Sequence, residues 1–376
     1  LRDSEPNVWS RRTMNATPAA STDLKSLGES FAGRRCLITG GLGFIGSNLA
    51  VRLAGLGARV LIVDSMIPAY GGNFFNIDGI QDKVHVNIAD VRDPHAMEYL
   101  VLGQDYIFNL AGQIGHLESM EAPIDDLRVN TEGPLNVLEA CRRVNRTAKL
   151  LYASTRQVYG RPRYLPVDEA HALQPIDCNA VSNVAGEQYH RVYFAAHGIR
   201  SVCLRLTNTY GPRQMMKDES GRYAFIYYWI RRVIDGHPLM IMGGQQGRDY
   251  TYIDDCVEAM LLAAASPAAD GEVFNLGGEP MTHLELADVL IDVAGGGTKQ
   301  IIELPAERRA IDPGVIALDY SKIRKALGWE PRTGLRAGLE RTVEYYRVHR
   351  DRYWNAGDVA AQQTGALQGT AGARRS

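Results

Sequence analysis

Thr39-Gly40-Gly41-Leu42-Gly43-Phe44-Ile45-Gly46 is the stretch on which the fold turns. It follows a short apolar run, Arg34 to Thr39, and opens a segment of helical spacing, Ser47 to Leu56. Two glycine spacings are satisfied at once, GxGxxG (Gly41, Gly43, Gly46) and GxxGxxG (Gly40, Gly43, Gly46). Glycines let the chain turn tightly and let a phosphate approach the backbone amides. The helix start adds N–H groups without intrahelical partners and the positive end of a dipole. The pattern alone would also describe a plain tight turn. Its place between strand and helix selects a dinucleotide site.

Working outward, Arg59 to Asp64 reads as the next strand, with Asp64 at its end, 18 residues after Gly46. A carboxylate there accepts both ribose hydroxyls and repels a 2′-phosphate, which favours NAD over NADP. Asp90-Val91 follows a third strand (Val84 to Ile88) and is expected at the adenine. The fourth strand, Asp105 to Leu110, leads into Leu110-Ala111-Gly112, expected to run along the cofactor. Helical spacing covers roughly 124–144 and 181–197, with strands at Leu150 to Ser154 and Val202 to Leu206. Strands separated by helices imply parallel crossovers. The expected fold is α/β, a doubly wound, mostly parallel Rossmann sheet over 34–210, with a smaller C-terminal substrate lobe over about 211–352. Segments near 245–280 are expected to return to the sheet. Residues 1–33 and 353–376 are polar or small and read as disordered ends, with Met14 a candidate start.

Composition bounds the function. Hydrophobic residues are 45% and charged residues 22% of the chain, an ordinary globular balance. A net charge of −2 carries no nucleic-acid signal, so an anionic ligand needs a local site. The five cysteines have no CxxC spacing, as expected of a reducing cytoplasm without disulfides or structural zinc. No apolar run reaches the ~20 residues of a membrane helix.

Further motifs follow in order: NLAGQ (109–113), VNTEGPLNVLEA (129–140), YASTRQVYG (152–160), LPVDE (165–169), AGEQYHRVY (185–193), LRLTNTYGPRQ (204–214) and GRDYTYIDD (247–255). With the glycine turn they make the chain resemble the extended short-chain dehydrogenase/reductase family, in its NAD-dependent nucleotide-sugar epimerase/dehydratase group. The resemblance implies NAD, with Asn130 added to its site, and a nucleotide-diphosphate sugar as substrate. Thr155 would bond the reacting sugar hydroxyl. Asn208 and Arg248 would bind substrate, with Arg213 a further phosphate candidate. A homodimer is implied through the two long helices, whose stripes include Leu127, Leu135, Leu138, Val184, Tyr189 and Val192.

The family's catalytic Tyr-x-x-x-Lys is absent. Asn179 stands at the tyrosine position and Asn183 at the lysine position. A tyrosine phenolate takes the sugar hydroxyl proton as hydride leaves, helped by a lysine one turn away. An amide has no proton to exchange. Losing a general base costs on the order of 10²–10⁴ in rate. The slots for dehydratase Asp-Glu and decarboxylase Glu hold Arg156 and Gln157. His116 is the first substitute base and Cys178 the second, both tunable towards neutral pH. Three readings stay open: an epimerase or oxidoreductase with an atypical base, a dehydratase or decarboxylase, and a non-catalytic NAD and sugar-nucleotide binder.

Overall fold

The computed structural model describes residues 24–67, 70–216 and 225–354. Seven parallel strands form the main sheet: β1 (Arg35–Thr39), β2 (Arg59–Asp64), β3 (Val84–Ile88), β4 (Tyr106–Asn109), β5 (Lys149–Thr155), β6 (Ser201–Leu206) and β10 (Val273–Leu276). Their order is β3-β2-β1-β4-β5-β6-β10. Chain direction across the sheet reverses between β1 and β4, so a crevice opens beyond their C-terminal ends. The β6 strand is buried at every position, as a strand covered on both faces must be.

Helices α1 (Leu24–Phe31), α2 (Phe44–Gly55), α3 (Pro94–Leu100), α4 (His116–Glu121), α5 (Pro123–Leu127), α6 (Gly133–Val144) and α7 (Cys178–His197) belong to this half. The single helix expected over 124–144 is interrupted by a π-helical turn, Arg128–Glu132. Two ends of the expected domain scheme need correction. Residues 24–31 form α1, and its Leu27 and Phe31 are buried in the core rather than disordered. Tyr353 and Trp354 are buried too, with ring contacts to Tyr346. Apolar side chains with a hydrophobic surface to cover order otherwise polar ends. The rest of both expected tails, 1–23 and 355–376, lies outside the described residues.

The C-terminal lobe contains β7 (Asn208–Tyr210), α8 (Phe225–Ile234), β8 (Leu239–Met242), β9 (Gly247–Tyr252), α9 (Ile253–Ala265), β11 (Glu279–Thr282), α10 (His283–Val293), β12 (Lys299–Ile302), α11 (Ala306–Ala310), α12 (Ser321–Leu327) and α13 (Leu335–His349). A three-stranded sheet, β11-β9-β7, and a parallel pair, β12-β8, organise it. From the 245–280 stretch, β10 joins the main sheet beside β6, while α9 packs on α2, β5 and β6. A buried network ties β10 to β6 and α7: Arg205 forks onto Glu187 at 2.7 Å and donates to Tyr159 Oη, which donates to Asn275 Oδ1.

Candidate active site

The first cleft sits at the β1–β4 switch point. Gly40, Gly43, Phe44, Ile45 and Gly46 line one wall and Asp64, Asp90 and Val91 another; Leu110, Ala111 and Gly112 close it. The backbone is packed at its limit here. A Cβ on Gly46 would stand 2.7 Å from Gly41 Cα, and one on Gly40, at φ +68°, 3.0 Å from Ala111 Cα. The first turn of α2 has no side-chain cap, which leaves its amides for a ligand. Asp64 Oδ2 accepts from Leu42 N at 3.0 Å and Oδ1 from Met66 N at 2.9 Å. Each oxygen keeps a further lone-pair site, as a ribose diol requires. Burial raises the Asp64 pKa, and the two amides lower it in part. The glycine cradle, open helix end and strand-end carboxylate therefore fit a dinucleotide.

Asp90 lies in this wall with its carboxylate forked by Arg92, which holds its pKa down. Asn130 stands behind the wall. It bonds Gln113 through both main-chain groups, at 3.0 Å and 2.9 Å, and its Oδ1 would meet a Cβ on Gly112 at 2.9 Å. It shapes the loop after β4. Ser65, Ile67, Tyr70 and Gln214 also line the cleft and were not foreseen. Gln214 follows β7, far along the chain, and carries no local signal.

The second cleft lies under the C-terminal lobe. His116, Arg156, Gln157, Asn208 and Arg248 line it, against apolar walls from Phe225, Trp229, Met240 and Met242. The loop from Leu110 to Leu117 borders both clefts. Arg248 is buried and held by Asp312 at 3.2 Å and by the carbonyl of Gly314. Asn208 donates to the Asp249 carbonyl at 3.1 Å and accepts from Arg156. Arg213 is directed elsewhere. It donates to Asn48 Oδ1 and to the Asn76 carbonyl, joining the two halves of the molecule. Thr155 caps the short turn after β5, its Oγ1 accepting from Gln157 N.

Asn179 and Asn183 are buried in a hydrogen-bonded network. Asn179 Nδ2 donates to the Gln113 carbonyl at 2.7 Å and to Asp126 Oδ1 at 3.1 Å. Asn183 Oδ1 accepts from Tyr152 Oη at 3.1 Å. Neither side chain lines either of the two clefts. Beside them, His116 Nδ1 lies 3.1 Å from Asp177 Oδ2. The Asp177 side chain is fully buried and caps α7 through Ala180 N. Cys178 is half-buried, and burial together with Asp126 and Asp177 pushes its thiol pKa up, the wrong direction for a base.

A glycine-turn crevice adjoining an arginine-bearing cleft defines a dinucleotide-binding α/β protein with an anion-receiving site beside its cofactor site. The chain belongs to the NAD dependent epimerase/dehydratase family, whose model matches residues 36–277. NAD is the cofactor of that family. A putative UDP-glucose 4-epimerase of Methanocaldococcus jannaschii is 32% identical over 317 residues, covering 83% of this chain and 98% of that one. A UDP-N-acetyl-alpha-D-glucosaminuronate decarboxylase of Bacillus cytotoxicus is 30% identical over 325 residues, 84% and 98% of the two chains. Among solved structures, an epimerase from Methanothermobacter thermautotrophicus has a TM-score of 0.80 at 25% identity, over 87% of this chain and 96% of that one. Among the described residues, no helix is long and apolar enough to cross a membrane.

Proposed function

We propose that this chain is an NAD-dependent epimerase or oxidoreductase of a nucleotide-diphosphate sugar, in which His116 and Asp177 replace the tyrosine and lysine. One observation carries the reading: the 3.1 Å approach of His116 Nδ1 to a buried carboxylate, on a histidine that lines the same cleft as Asn208 and Arg248. NAD, when bound, supplies the hydride acceptor and donor. The amides at Gly43 to Gly46 receive its pyrophosphate, Asp64 its ribose, and Asp90 and Val91 flank its adenine. Arg248 and Asn208 hold the substrate diphosphate. Thr155 positions the reacting hydroxyl. The proton of that hydroxyl passes to His116 Nε2, with the Asp177 carboxylate 3.1 Å from the ring at Nδ1. Asn179 and Asn183 act as positioning residues that hold α7 against the Gln113 loop.

Two copies pair through α5 and α7 in this reading. Ile124, Leu127, Val181 and Val192 leave exposed apolar surface on these two packed helices. The five free thiols suit a reducing cytoplasm. A second reading, a non-catalytic NAD and sugar-nucleotide binder, draws on the amide network that engages both Asn179 and Asn183.

The test is turnover of the NAD-loaded protein on a nucleotide-sugar panel, read as product stereochemistry. His116→Ala should lower kcat by on the order of 10²-fold or more with NAD affinity kept. Asp177→Asn, which preserves the α7 cap, should give a smaller loss. Cys178→Ala should change little. Full turnover in His116→Ala sinks the dyad. Tight sugar-nucleotide binding without turnover, with activity appearing only in Asn179→Tyr/Asn183→Lys, establishes the second reading instead.

A further inference from the structure

Arg156 is a buried cation that forms no salt bridge among the described residues. It is 8% exposed, and no carboxylate of the described residues comes within ion-pair distance of it. Its two partners are neutral: Nη1 donates to Gln157 Oε1 at 3.0 Å, and Nη2 to Asn208 Oδ1 at 3.1 Å. Two of its five N–H donors are thereby taken. The nearest acid, Asp249, is engaged by the Thr207 hydroxyl and by Leu318 N. Burial, reinforced by the charge of Arg248, pushes the Arg156 guanidinium down to about 10. Asp249 and Asp312 offset this only in part, so an anion brought to the remaining N–H donors would stabilise the guanidinium further.

The cleft supplies the place for that anion. Arg156 lines it together with Arg248, but the two are not equivalent. Arg248 comes from β9 in the lobe and already has Asp312 as partner. Arg156 follows Thr155 at the C-terminal end of β5, on the sheet side of the cleft near His116. The lobe-side cation suits the diphosphate, and the sheet-side cation faces the sugar. We propose that Arg156 binds a carboxylate on the sugar ring, so that the preferred substrate is a nucleoside-diphosphate uronic acid rather than a neutral hexose. A planar fork pairs with a carboxylate through two parallel bonds. Asn208 and Gln157 hold the guanidinium plane for it. This rests on the nucleotide-sugar reading above and adds the chemical class of the sugar.

The experiment is calorimetric titration of the full chain, loaded with NAD, with matched glucose and glucuronate derivatives of UDP, CDP, GDP and dTDP, and with each free nucleoside diphosphate. For the preferred base, the uronate should bind at least about tenfold more tightly than the hexose, one charge-assisted bidentate pair's worth. Arg156→Gln should remove that preference and leave the free diphosphate unchanged. Arg156→Lys, which keeps the charge and loses the fork, should retain part of it. Arg248→Gln should weaken all three ligands alike. Equal binding of uronate and hexose by the wild type overturns the proposal. So does an equal loss for the free diphosphate in Arg156→Gln, which would make Arg156 a phosphate ligand. If neither sugar nucleotides nor free diphosphates bind, the nucleotide-sugar reading itself falls, and this inference with it.

Discussion

Asn183 Nδ2 lies 2.9 Å from the main-chain oxygen of Asn179, one helical turn earlier, and 3.3 Å from its Oδ1. The two asparagines, proposed to stand where the family has its tyrosine and lysine, are links in one chain of buried hydrogen bonds. That chain runs from Tyr152 through both asparagines to Gln113 and Asp126. The Tyr152 ring is fully enclosed and stacks on His190, whose imidazole burial pushes down to about 3. Asn183→Ala should therefore act on stability. It strands a buried hydroxyl, at a cost of about 1–3 kcal/mol. Urea denaturation should show that loss, while kcat of the folded fraction changes little. A collapse of kcat with unchanged stability would return Asn183 to the chemistry.

Asp126 collects two amide donors on Oδ1, from Asn130 at 2.9 Å and Asn179 at 3.1 Å. Burial raises its pKa, and side-chain hydrogen bonds offset only part of the rise. A carboxyl whose folded pKa is raised stabilises the fold below its unfolded value, near ~3.9, and loses that contribution as pH climbs through the folded value. Asp126→Asn keeps the acceptor and removes the charge. Its melting temperature relative to wild type should rise as the pH climbs from acidic to neutral. A parallel pair of Tm curves across that window would refute the assignment.

Gly46→Ala probes the cofactor turn. The added Cβ meets the Gly40 carbonyl and Gly41 Cα, both main-chain atoms that no rotamer change can relieve. Overpacking of this kind costs about 1–3 kcal/mol and displaces the amides at the start of α2. NADH fluorescence titration should show binding reduced by at least about tenfold, with Tm lowered by several degrees. Gly55→Ala in the same helix, where a Cβ meets nothing, is the matched control and should bind normally.

Asp64 joins two tasks, closing the turn at Leu42 and Met66 and facing the crevice. The wild type should bind NADH and reject NADPH by at least about 100-fold, because a 2′-phosphate would meet the Asp64 carboxylate. Asp64→Ala should weaken NADH by at least about tenfold, the loss of a charge-assisted hydrogen-bond pair, and narrow the NADH/NADPH ratio. Fluorescence titration of both nucleotides decides. A ratio unmoved by the substitution would place the selectivity elsewhere.

Much of the cofactor half was legible in the chain itself. Each of the first six parallel strands lies within a residue or two of its expected span; five are largely buried and apolar, as strands covered on both faces must be, and the edge strand β3 is mostly exposed. The glycine turn announces itself because only glycine satisfies its close approaches. The interruption at Arg128–Glu132 was not legible, because a π-helical turn keeps an almost helical apolar spacing. Strands β9 and β11 were missed for a related reason. They are short or polar and gain their order from pairing across the lobe.

By itself, the sequence determined the parallel sheet and the glycine turn that opens α2, because those depend on residue type at close spacing along the chain. Only the tertiary structure decided that Asp177 meets His116, that Arg213 is occupied by Asn48 and Asn76, and that Arg156 is buried with no salt bridge among the described residues. Those facts depend on distances between side chains as many as 165 positions apart. Local pattern carries no information about which charges the folded chain brings together and which it leaves for a ligand.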